Sequence, residues 1–310
     1  MNIEFTKDPR EATLITHGGT FHSADILSTV LLGKLFDKVV LYRTNEISRR
    51  MHFRKDAIIM NVGFGEFDPH NPEDKPCRPN GISYRAPGLI WKKFGYDIII
   101  KQTKIHDIFI IEEIFNSIEK KLIIPVDYFD TKNILKEKHP IDSIDINKII
   151  SCFNPDWDDT QSFDEAFIDA TNFMEVVFDK YLSRVISKIK ARDIVEKAID
   201  YSQDGLMFLP KFVPWLDSLL ISKNPKAESI QFVIYPSLRS EGYNWQCIPL
   251  FSGSNIYRKD VPVCWRGLHG FQLRQVTGIP TATFCHPSGY LGGAKTLQDT
   301  IAFARKAINS

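Results

Sequence analysis

Short apolar runs alternate with a helical pattern over the first sixty residues. Residues 12–16, 38–42 and 57–62 are rich in Val, Ile and Leu, which predicts three buried strands. Between the first two runs, apolar side chains recur at helical spacing and predict a helix over about 22–36. Strands that alternate with helices in this way are typical of an α/β layer built on a parallel sheet.

The pattern changes after residue 62, where a loop rich in Gly, Pro, Asn and Asp is predicted for 63–85. Polar residues with little periodicity indicate a linker at 131–160. Neither a helix nor a strand is predicted for 125–130. We therefore predict an α/β domain at 1–155, a linking helix region at 156–200 and a smaller α/β domain at 201–310. The other predicted elements are helices near 86–94, 106–118 and 161–200, strands near 230–235 and 244–250, and a final helix from about Thr296.

The composition fits a soluble chain of two domains. The 310 residues are 43% hydrophobic and 25% charged, which is an ordinary balance. The formal net charge of +1 predicts no attraction of the whole chain to nucleic acid or anionic membrane, and leaves open a local basic groove.

Targeting signals and cysteine motifs are absent from the sequence. No run approaches ~20 apolar residues, and the N-terminus has no apolar core of a secretory signal, so no membrane partner is predicted. The five cysteines are scattered and form no CxxC pair, which argues against a zinc knuckle or a disulfide framework. A cytoplasmic location is expected from these features.

The first candidate for chemistry is the segment from His17 to Asp25, where a predicted strand passes into a helix. Open α/β sheets bind ligands at the carboxyl ends of their strands. His17 and His22, five residues apart across a glycine turn, could face one metal ion, because imidazole binds zinc, iron and manganese. The alternative is a turn histidine and a helix-start histidine without a metal.

Three further places follow along the chain. Asn61 ends an apolar run and offers a carbonyl oxygen without a charge. Asp68 and His70 flank a proline in the next loop, and Asp127 lies near the end of the first domain. Each of these side chains is either a ligand or an ordinary polar residue of a loop.

The C-terminal candidate is the glycine-rich segment 289–296. Its glycines allow positive φ and close approach of backbone to a ligand. Thr296 can cap the helix that follows, and the free N–H groups at that helix start, with Lys295, favour an anion such as phosphate. Arg266 and His286 could add donors. The alternative is a structural turn with a surface lysine.

These segments, in this order, resemble the motifs of the melanocyte-proliferating-gene type of DHH-like hydrolases, which are described as metal-dependent protein hydrolases and as exonucleases. The resemblance covers most of 12–308 and is densest near the C-terminus. The matching segments are 16–25 (THxGxFHxDD), 61–63 (DxG), 68–70 (Asp-His-His), 78–95, 127–132 (DAxDNG), 264–268 (PWRGL), 276–280 (SGIP) and 284–296 (FVHxSGFIGGxKT).

The resemblance implies that 1–155 is a DHH-like domain in which a metal-activated water hydrolyses a phosphodiester, and that 201–310 is a substrate-binding domain. It assigns catalytic positions to Asp68 and His70. The implied metal ligands are His17, His22, Asn61, Asp68 and Asp127. The implied substrate-binding residues are Arg266, His286, Ser288, Gly292, Gly293 and Lys295.

Three departures from the family motifs fall mostly on one of the two expected metal ions. Ala24 and Asn61 stand where the family has Asp, and Pro69 stands where it has His. Two divalent cations repel each other at short range, and carboxylates must offset that repulsion. We therefore expect one divalent ion, manganese, rather than two, or no ion. Replacement ligands, if any, would come from the nearby acids Asp25, Glu66 and Asp130.

Two functional classes follow from this pattern. The first is a phosphodiesterase or exonuclease-type hydrolase of nucleotides or nucleic acid with a degenerate two-metal site, of which a one-metal hydrolase with an altered substrate is a variant. The second is a catalytically inactive nucleotide- or RNA-binding relative. The expected partner is a nucleotide or single-stranded nucleic acid. The oligomeric state stays open, and a dimer is compatible with the sequence.

Overall fold

The computed structural model describes residues 1–69, 77–130 and 144–310. These residues form two compact units, Met1–Val185 and Ile186–Ser310. The division falls inside a helix that spans Phe163–Asp200, in the stretch that the sequence predicts as a linking helix. His70 lies outside the described residues.

The first unit is built on a parallel sheet of four short strands. They are β1 (Ile3–Phe5), β2 (Leu14–Thr16), β3 (Val39–Arg43) and β4 (Ile58–Ile59). Their order in the sheet is β1-β3-β2-β4, and every neighbouring pair is parallel. This arrangement confirms the predicted α/β layer.

Helices cover this sheet. They are α1 (Ser23–Leu35), α2 (Arg49–His52), α3 (Ala86–Thr103), α4 (Ile108–Ile118), α5 (Ile124–Phe129), α6 (Ile146–Ser151) and α7 (Phe163–Asp200), with a π-helical turn at Glu119–Ile123 between α4 and α5. The helix α1 is buried along almost its whole length and packs against α3. Ile26, Leu27 and Leu31 are fully buried, which explains the strength of the helical pattern in the sequence.

The structure corrects three of the sequence predictions in this unit. The strand predicted at 57–62 ends at Ile59, because Asn61 adopts a positive φ of 56° and turns the chain out of the sheet. The helix predicted at 86–94 continues to Thr103. The predicted linker contains α6, whose six residues are too few to show a period, although the carboxylate of Asp145 caps it.

The second unit is built on a mixed sheet of five strands. They are β5 (Leu206–Phe208), β6 (Phe232–Pro236), β7 (Tyr243–Cys247), β8 (Ala282–Cys285) and β9 (Leu291–Ala294). Their order is β5-β6-β7-β9-β8; β5 and β6 are parallel, and the other pairs are antiparallel. The predicted strands near 230–235 and 244–250 correspond to β6 and β7. The helices α8 (Leu216–Ile221), α9 (Gly270–Thr277) and α10 (Leu297–Ile308) complete the unit.

The glycine-rich segment of this unit is a hairpin rather than one extended turn. Gly289 has a positive φ of 77° in the tight turn after β8. Gly292 and Gly293 lie within β9, where a Cβ on the first would overlap the indole of Trp245 and a Cβ on the second would press on Asn244. Both strand glycines are thus explained by packing against β7, with no need of a ligand.

In the ranges that the structure describes, no helix combines the length and the apolar character that a bilayer crossing requires.

Gly292→Ala should lower the free energy of unfolding by about 1–3 kcal/mol, because the added methyl overpacks the strand against Trp245. Denaturant unfolding measures this change. Gly65→Ala is the matched control, since the nearest atom to its Cβ would be 3.6 Å away. Equal effects of the two substitutions would contradict the packing explanation of Gly292.

Candidate functional site

Three strands of the first sheet end side by side at its carboxyl edge. In register, Thr16 at the end of β2 lies beside Arg43 at the end of β3. The amide of Met60, just after β4, donates to the carbonyl of Ile15 in β2 at 3.0 Å. The next residues along the chain, His17 and Asn61, therefore leave the sheet at the same edge, where ligands of open α/β sheets bind.

The carboxylate of Asp25 joins these segments. One of its oxygens accepts hydrogen bonds from His17 Nε2 at 2.9 Å and from the backbone amide of His22 at 2.8 Å. The other oxygen accepts from the side-chain amide of Asn61 at 2.6 Å. Asp25 is 2% exposed, so this charge is held inside the protein by three donors from three parts of the chain.

The hydrogen bonds set the charge states of this pair. The bond to Asp25 raises the pKa of His17 above its ordinary value, against the opposing effect of burial. Burial acts to raise the pKa of Asp25, but the bonds from His17, the His22 amide and Asn61 outweigh it and lower that pKa. His17 and Asp25 therefore stay oppositely charged over a wider pH range than their ordinary pKa values would allow.

Arg43 fixes the glycine turn that carries His17. Its Nε donates to the carbonyl of His17 at 3.2 Å, and Nη2 donates to the carbonyl of Gly19. Its side chain is 2% exposed, pairs with Asp164 at 2.9 Å, and lies 4.5 Å from the ring centroid of Phe167. A fixed guanidinium at the end of β3 thus positions the turn from β2 into α1.

The two histidines of this turn differ in exposure. Both ring nitrogens of His17 have partners, since Nδ1 lies 3.2 Å from the carbonyl of Gly18. His22 is exposed, and its ring centroid lies 6.4 Å from that of His17. The imidazole that can meet a substrate from solvent is therefore that of His22.

Asp68 lies in the loop after β4 and is 4% exposed. One of its carboxylate oxygens accepts from the backbone amide of Phe64 at 2.8 Å. The catalytic role predicted for Asp68 with His70 stays a prediction, because His70 is not among the described residues.

Asp127 is fully buried in α5 and pairs with a cation of the protein itself. Its Oδ2 lies 2.7 Å from Nη2 of Arg78, which also donates through Nε to Glu119 at 2.7 Å. Burial raises the pKa of Asp127 to about 7, while the charge of Arg78 acts in the opposite direction. The guanidinium lies 3.9 Å from the ring centroid of Tyr84. Gly88 donates its amide to Asp127 at 3.3 Å, and a Cβ there would overlap the carboxylate.

The described residues do not fit a two-ion metal site. Across 1–69, 77–130 and 144–310, no three His, Cys, Asp or Glu side chains form a group that could hold a metal ion. The oxygens of Asp25 accept three N–H donors, and Asp127 faces Arg78. The acids considered as replacements also face cations, since Glu66 pairs with Lys93 at 2.7 Å and Asp130 with Arg85 at 3.4 Å. One ion at His17 and His22 stays a prediction.

In the second unit, two predicted substrate-binding residues meet in the hairpin turn. His286 Nδ1 lies 2.8 Å from the hydroxyl of Ser288 and accepts the backbone amide of that residue at 3.2 Å. Because Nδ1 accepts an N–H, Nε2 carries the proton in the neutral ring and can donate to a ligand. Arg266 packs over Gly289 of the same turn and donates to the carbonyl of Val261 at 3.1 Å.

Lys295 is exposed beside the start of α10. The N-terminus of that helix is capped, because the hydroxyl of Thr296 accepts the amide of Asp299 at 3.1 Å. The carboxylate of Asp299 accepts from the amide and the hydroxyl of Thr281 at 3.0 and 2.6 Å. An anion at this helix start would therefore compete with a resident carboxylate, and the hairpin turn offers the better donors.

The roles of Arg43 and Arg78 are not predicted from the sequence. The available signal for Arg43 was a cation directly after the apolar run of β3, at the edge where His17 emerges. No comparable local signal exists for Arg78, because its partners Glu119 and Asp127 lie more than forty residues further along the chain.

The fold and the site define a two-unit α/β protein in which a half-buried histidine pairs with a buried aspartate at the carboxyl edge of the parallel sheet. Residues 13–308 match the MYG1_exonuc family, which is described as an uncharacterised protein family (UPF0160). The chain therefore belongs to this family, which confirms the resemblance drawn from the motifs.

Similar proteins align over nearly the whole chain. A MYG1 protein of Schizosaccharomyces pombe is 27% identical over 322 residues, which are 96% of this chain and 97% of that protein. A MYG1 protein of Saccharomyces cerevisiae is 27% identical over 333 residues, 95% of each. The MYG1 exonuclease of Homo sapiens is 28% identical over 327 residues, 94% of this chain and 85% of that protein.

Among solved structures, a pGpG-specific phosphodiesterase, PggH from Vibrio cholerae, covers 96% of this chain and 97% of its own with 12% sequence identity. The TM-score is 0.29, so this likeness supports no conclusion about fold or function.

Asp25→Asn should lower the pKa of His17 towards its ordinary value, because a neutral amide cannot stabilise the imidazolium. Titration of the His17 ring protons by NMR measures this shift. The substitution should also lower the free energy of unfolding by about 1.5–3 kcal/mol, since it weakens three charge-assisted hydrogen bonds.

The loss of stability in Asp25→Asn should be largest between about pH 4 and pH 6.5. Because the pKa of Asp25 is lowered in the folded protein, this group adds stability at pH values above its pKa in the unfolded chain. That stability is lost as the pH falls. Because the pKa of His17 is raised in the folded protein, this group adds stability at pH values below its pKa in the unfolded chain. That stability is lost as the pH rises. Asp37→Asn, which removes an exposed partner of Lys101, is the control and should change neither quantity. An unchanged His17 titration in Asp25→Asn would contradict the assigned ion pair.

Arg78→Met should lower the free energy of unfolding by about 3–5 kcal/mol, because it leaves the buried Asp127 and the half-buried Glu119 without their cation. Arg78→Met combined with Asp127→Asn should lose less than Arg78→Met alone, since one stranded charge is removed. Arg10→Met breaks an exposed pair and should leave the unfolding transition unchanged. Denaturant unfolding of the four proteins tests this, and equal losses for Arg78→Met and Arg10→Met would refute the role of the buried pair.

Proposed function

We propose that this chain is a hydrolase of the nuclease or phosphodiesterase type that cleaves phosphodiester bonds of nucleotides or nucleic acid. Family membership over residues 13–308 supports this, together with alignment over 94% of the chain to a relative named as an exonuclease. The observation that carries the proposal is the Asp25 network, which orders a histidine-bearing turn at the carboxyl edge of the sheet.

In this proposal His22 exchanges protons with the reacting groups, and Asp25, His17 and Arg43 are positioning residues. An exposed imidazole can take a proton from a water molecule or give one to a leaving oxygen near neutral pH. The buried pair fixes the backbone of His22, because the amide of that residue donates to the Asp25 carboxylate. In the second unit, Arg266 and Nε2 of His286 are proposed to bind phosphate groups of a nucleotide.

A second function has its own supporting observation. Asp25 and Asp127 face donors or cations of the protein itself, which is the arrangement expected of an acid that no longer binds a metal ion. Such a chain would bind a nucleotide or RNA without hydrolysing it. Its Arg266, His286, Ser288 and Lys295 would then be the residues that bind the ligand.

A hydrolysis assay with a labelled oligoribonucleotide and with a dinucleotide, each with manganese and with EDTA, separates the two functions. The proposed function predicts turnover by the wild type and a loss of about 100-fold or more in His22→Ala. Asp37→Asn, an exposed change on the same unit, serves as the control and should keep full activity.

Two outcomes would overturn the hydrolase. Turnover that His22→Ala leaves unchanged would remove the assigned site. Tight nucleotide binding without turnover, weakened by Lys295→Ala, would establish the binding protein instead. Elemental analysis of the purified chain tests the predicted single ion independently of turnover.

A further inference from the structure

We propose that a basic and aromatic groove at the amino-terminal edge of the first sheet binds single-stranded nucleic acid. The groove consists of a cavity beside the strand starts and the adjoining segment 49–55. The choice of ligand rests on the proposed function, whereas the location of the groove does not.

The groove lies at the opposite edge of the sheet from His17. Its cavity of about 750 Å³ reaches the residues that precede or open three parallel strands, namely Thr13, Lys38 and Ala57. The candidate site follows the carboxyl ends of the same strands. The cavity also extends along β4 past Ile58 and Ile59 to residues 65–67, so its far end lies next to the loop that carries Asp68.

Unpaired positive charge is concentrated in the segment 49–55, which adjoins the cavity because His52, Arg54 and Lys55 line it. The segment 49–55 reads RRMHFRK, and Arg49, Arg50 and Lys55 are all exposed. Within the part of the chain that the structure describes, none of these three head groups forms an ion pair, in contrast to Arg54, which pairs with Asp56 at 2.6 Å. Since the whole chain carries a net charge of only +1, this cluster is a local feature. Phosphates are the ligands that such a cluster attracts.

Aromatic rings accompany the cations. Phe53, in the middle of the basic segment, is 76% exposed, and its ring packs edge-on against His52 at a centroid distance of 5.5 Å. Phe36, at the cavity wall, is 43% exposed. Phe94 also lines the cavity, with Lys93 Nζ 5.3 Å from its ring centroid. Exposed rings next to phosphate-binding cations are the arrangement that stacks successive bases of a single strand.

The shape of the groove favours a nucleic acid strand over a lipid surface. A flat bilayer would touch Arg49, Arg50 and Phe53 of the adjoining segment and would leave the rings that line the cavity unused. A strand can lay phosphates on that segment and place a base against Phe36 or Phe94. An oligonucleotide of several residues bound in the groove could extend along β4 towards the loop that carries Asp68.

Fluorescence anisotropy with a labelled 12-nucleotide oligouridylate, in EDTA and low salt, tests this directly. Arg49→Glu with Arg50→Glu should weaken binding about ten-fold or more, and the logarithmic salt dependence should become shallower by about 0.7 for each phosphate that the variant no longer neutralises. Phe53→Ala should weaken binding about five-fold or more through loss of stacking. A labelled dinucleotide should bind the wild type and the variants equally.

The matched controls change the same residue types elsewhere on the first unit. Lys180→Glu with Arg184→Glu makes the same charge change on α7, where both residues are exposed. Phe109→Ala removes a ring that is 79% exposed on α4. Both controls should bind the 12-mer like the wild type, and circular dichroism should show all variants folded.

The groove is refuted if the Arg49/Arg50 variant binds the 12-mer no more weakly than the Lys180/Arg184 variant. It is also refuted if the Arg49/Arg50 substitutions abolish binding to phosphatidylserine–phosphatidylcholine vesicles and leave oligonucleotide binding intact. The binding assay contains no divalent metal and follows no turnover. Failure of the groove is therefore distinguishable from failure of the hydrolase, which the assay with His22→Ala decides.

Discussion

Asp25 carries a negative charge inside the first unit, and three N–H donors from separate segments converge on it. The donors come from the turn after β2, the start of α1 and the end of β4. Burying a carboxylate lowers the stability of the folded protein unless its oxygens accept hydrogen bonds, so the fold requires each donor to be in place. The same hydrogen bonds that keep Asp25 ionised therefore fix where the chain leaves each strand. Arg43 adds a cation on the other side of the turn, and the position of His22 follows from both.

The buried acids of this chain are balanced by the protein itself. Asp127 has Arg78, and Asp25 has His17 with two amide donors. At position 61 an aspartate would repel Asp25, whereas the side-chain amide of Asn61 donates a hydrogen bond to it. The donors that the protein supplies to Asp25 and Asp127 therefore leave each of these buried acids with a partner inside the first unit.

Much of the fold could be predicted from the sequence, because α1, β2, β3 and α7 bury regular apolar faces. Short elements could not, since α5 and α6 have six residues each and β4 has two. For the site, the motif placed His17, His22 and Asn61 at one edge of the sheet. It could not show that Asn61 acts as a donor or that Asp127 faces Arg78, because those interactions join residues far apart in sequence. The substrate-binding role of Gly292 and Gly293 stays a prediction, and only the register with β7 reveals that both positions also pack against that strand.

Gly88 limits how this arrangement can change over time. Its α-carbon lies against the Asp127–Arg78 pair with no space for a side chain. Any residue other than glycine there would have to displace one of the two charged groups. A lineage, or a laboratory selection, that enlarges this position must first or simultaneously give up the ion pair. Positions 78, 88 and 127 are therefore expected to vary as a set, and their joint pattern among relatives would show which family members carry an internal cation at this place.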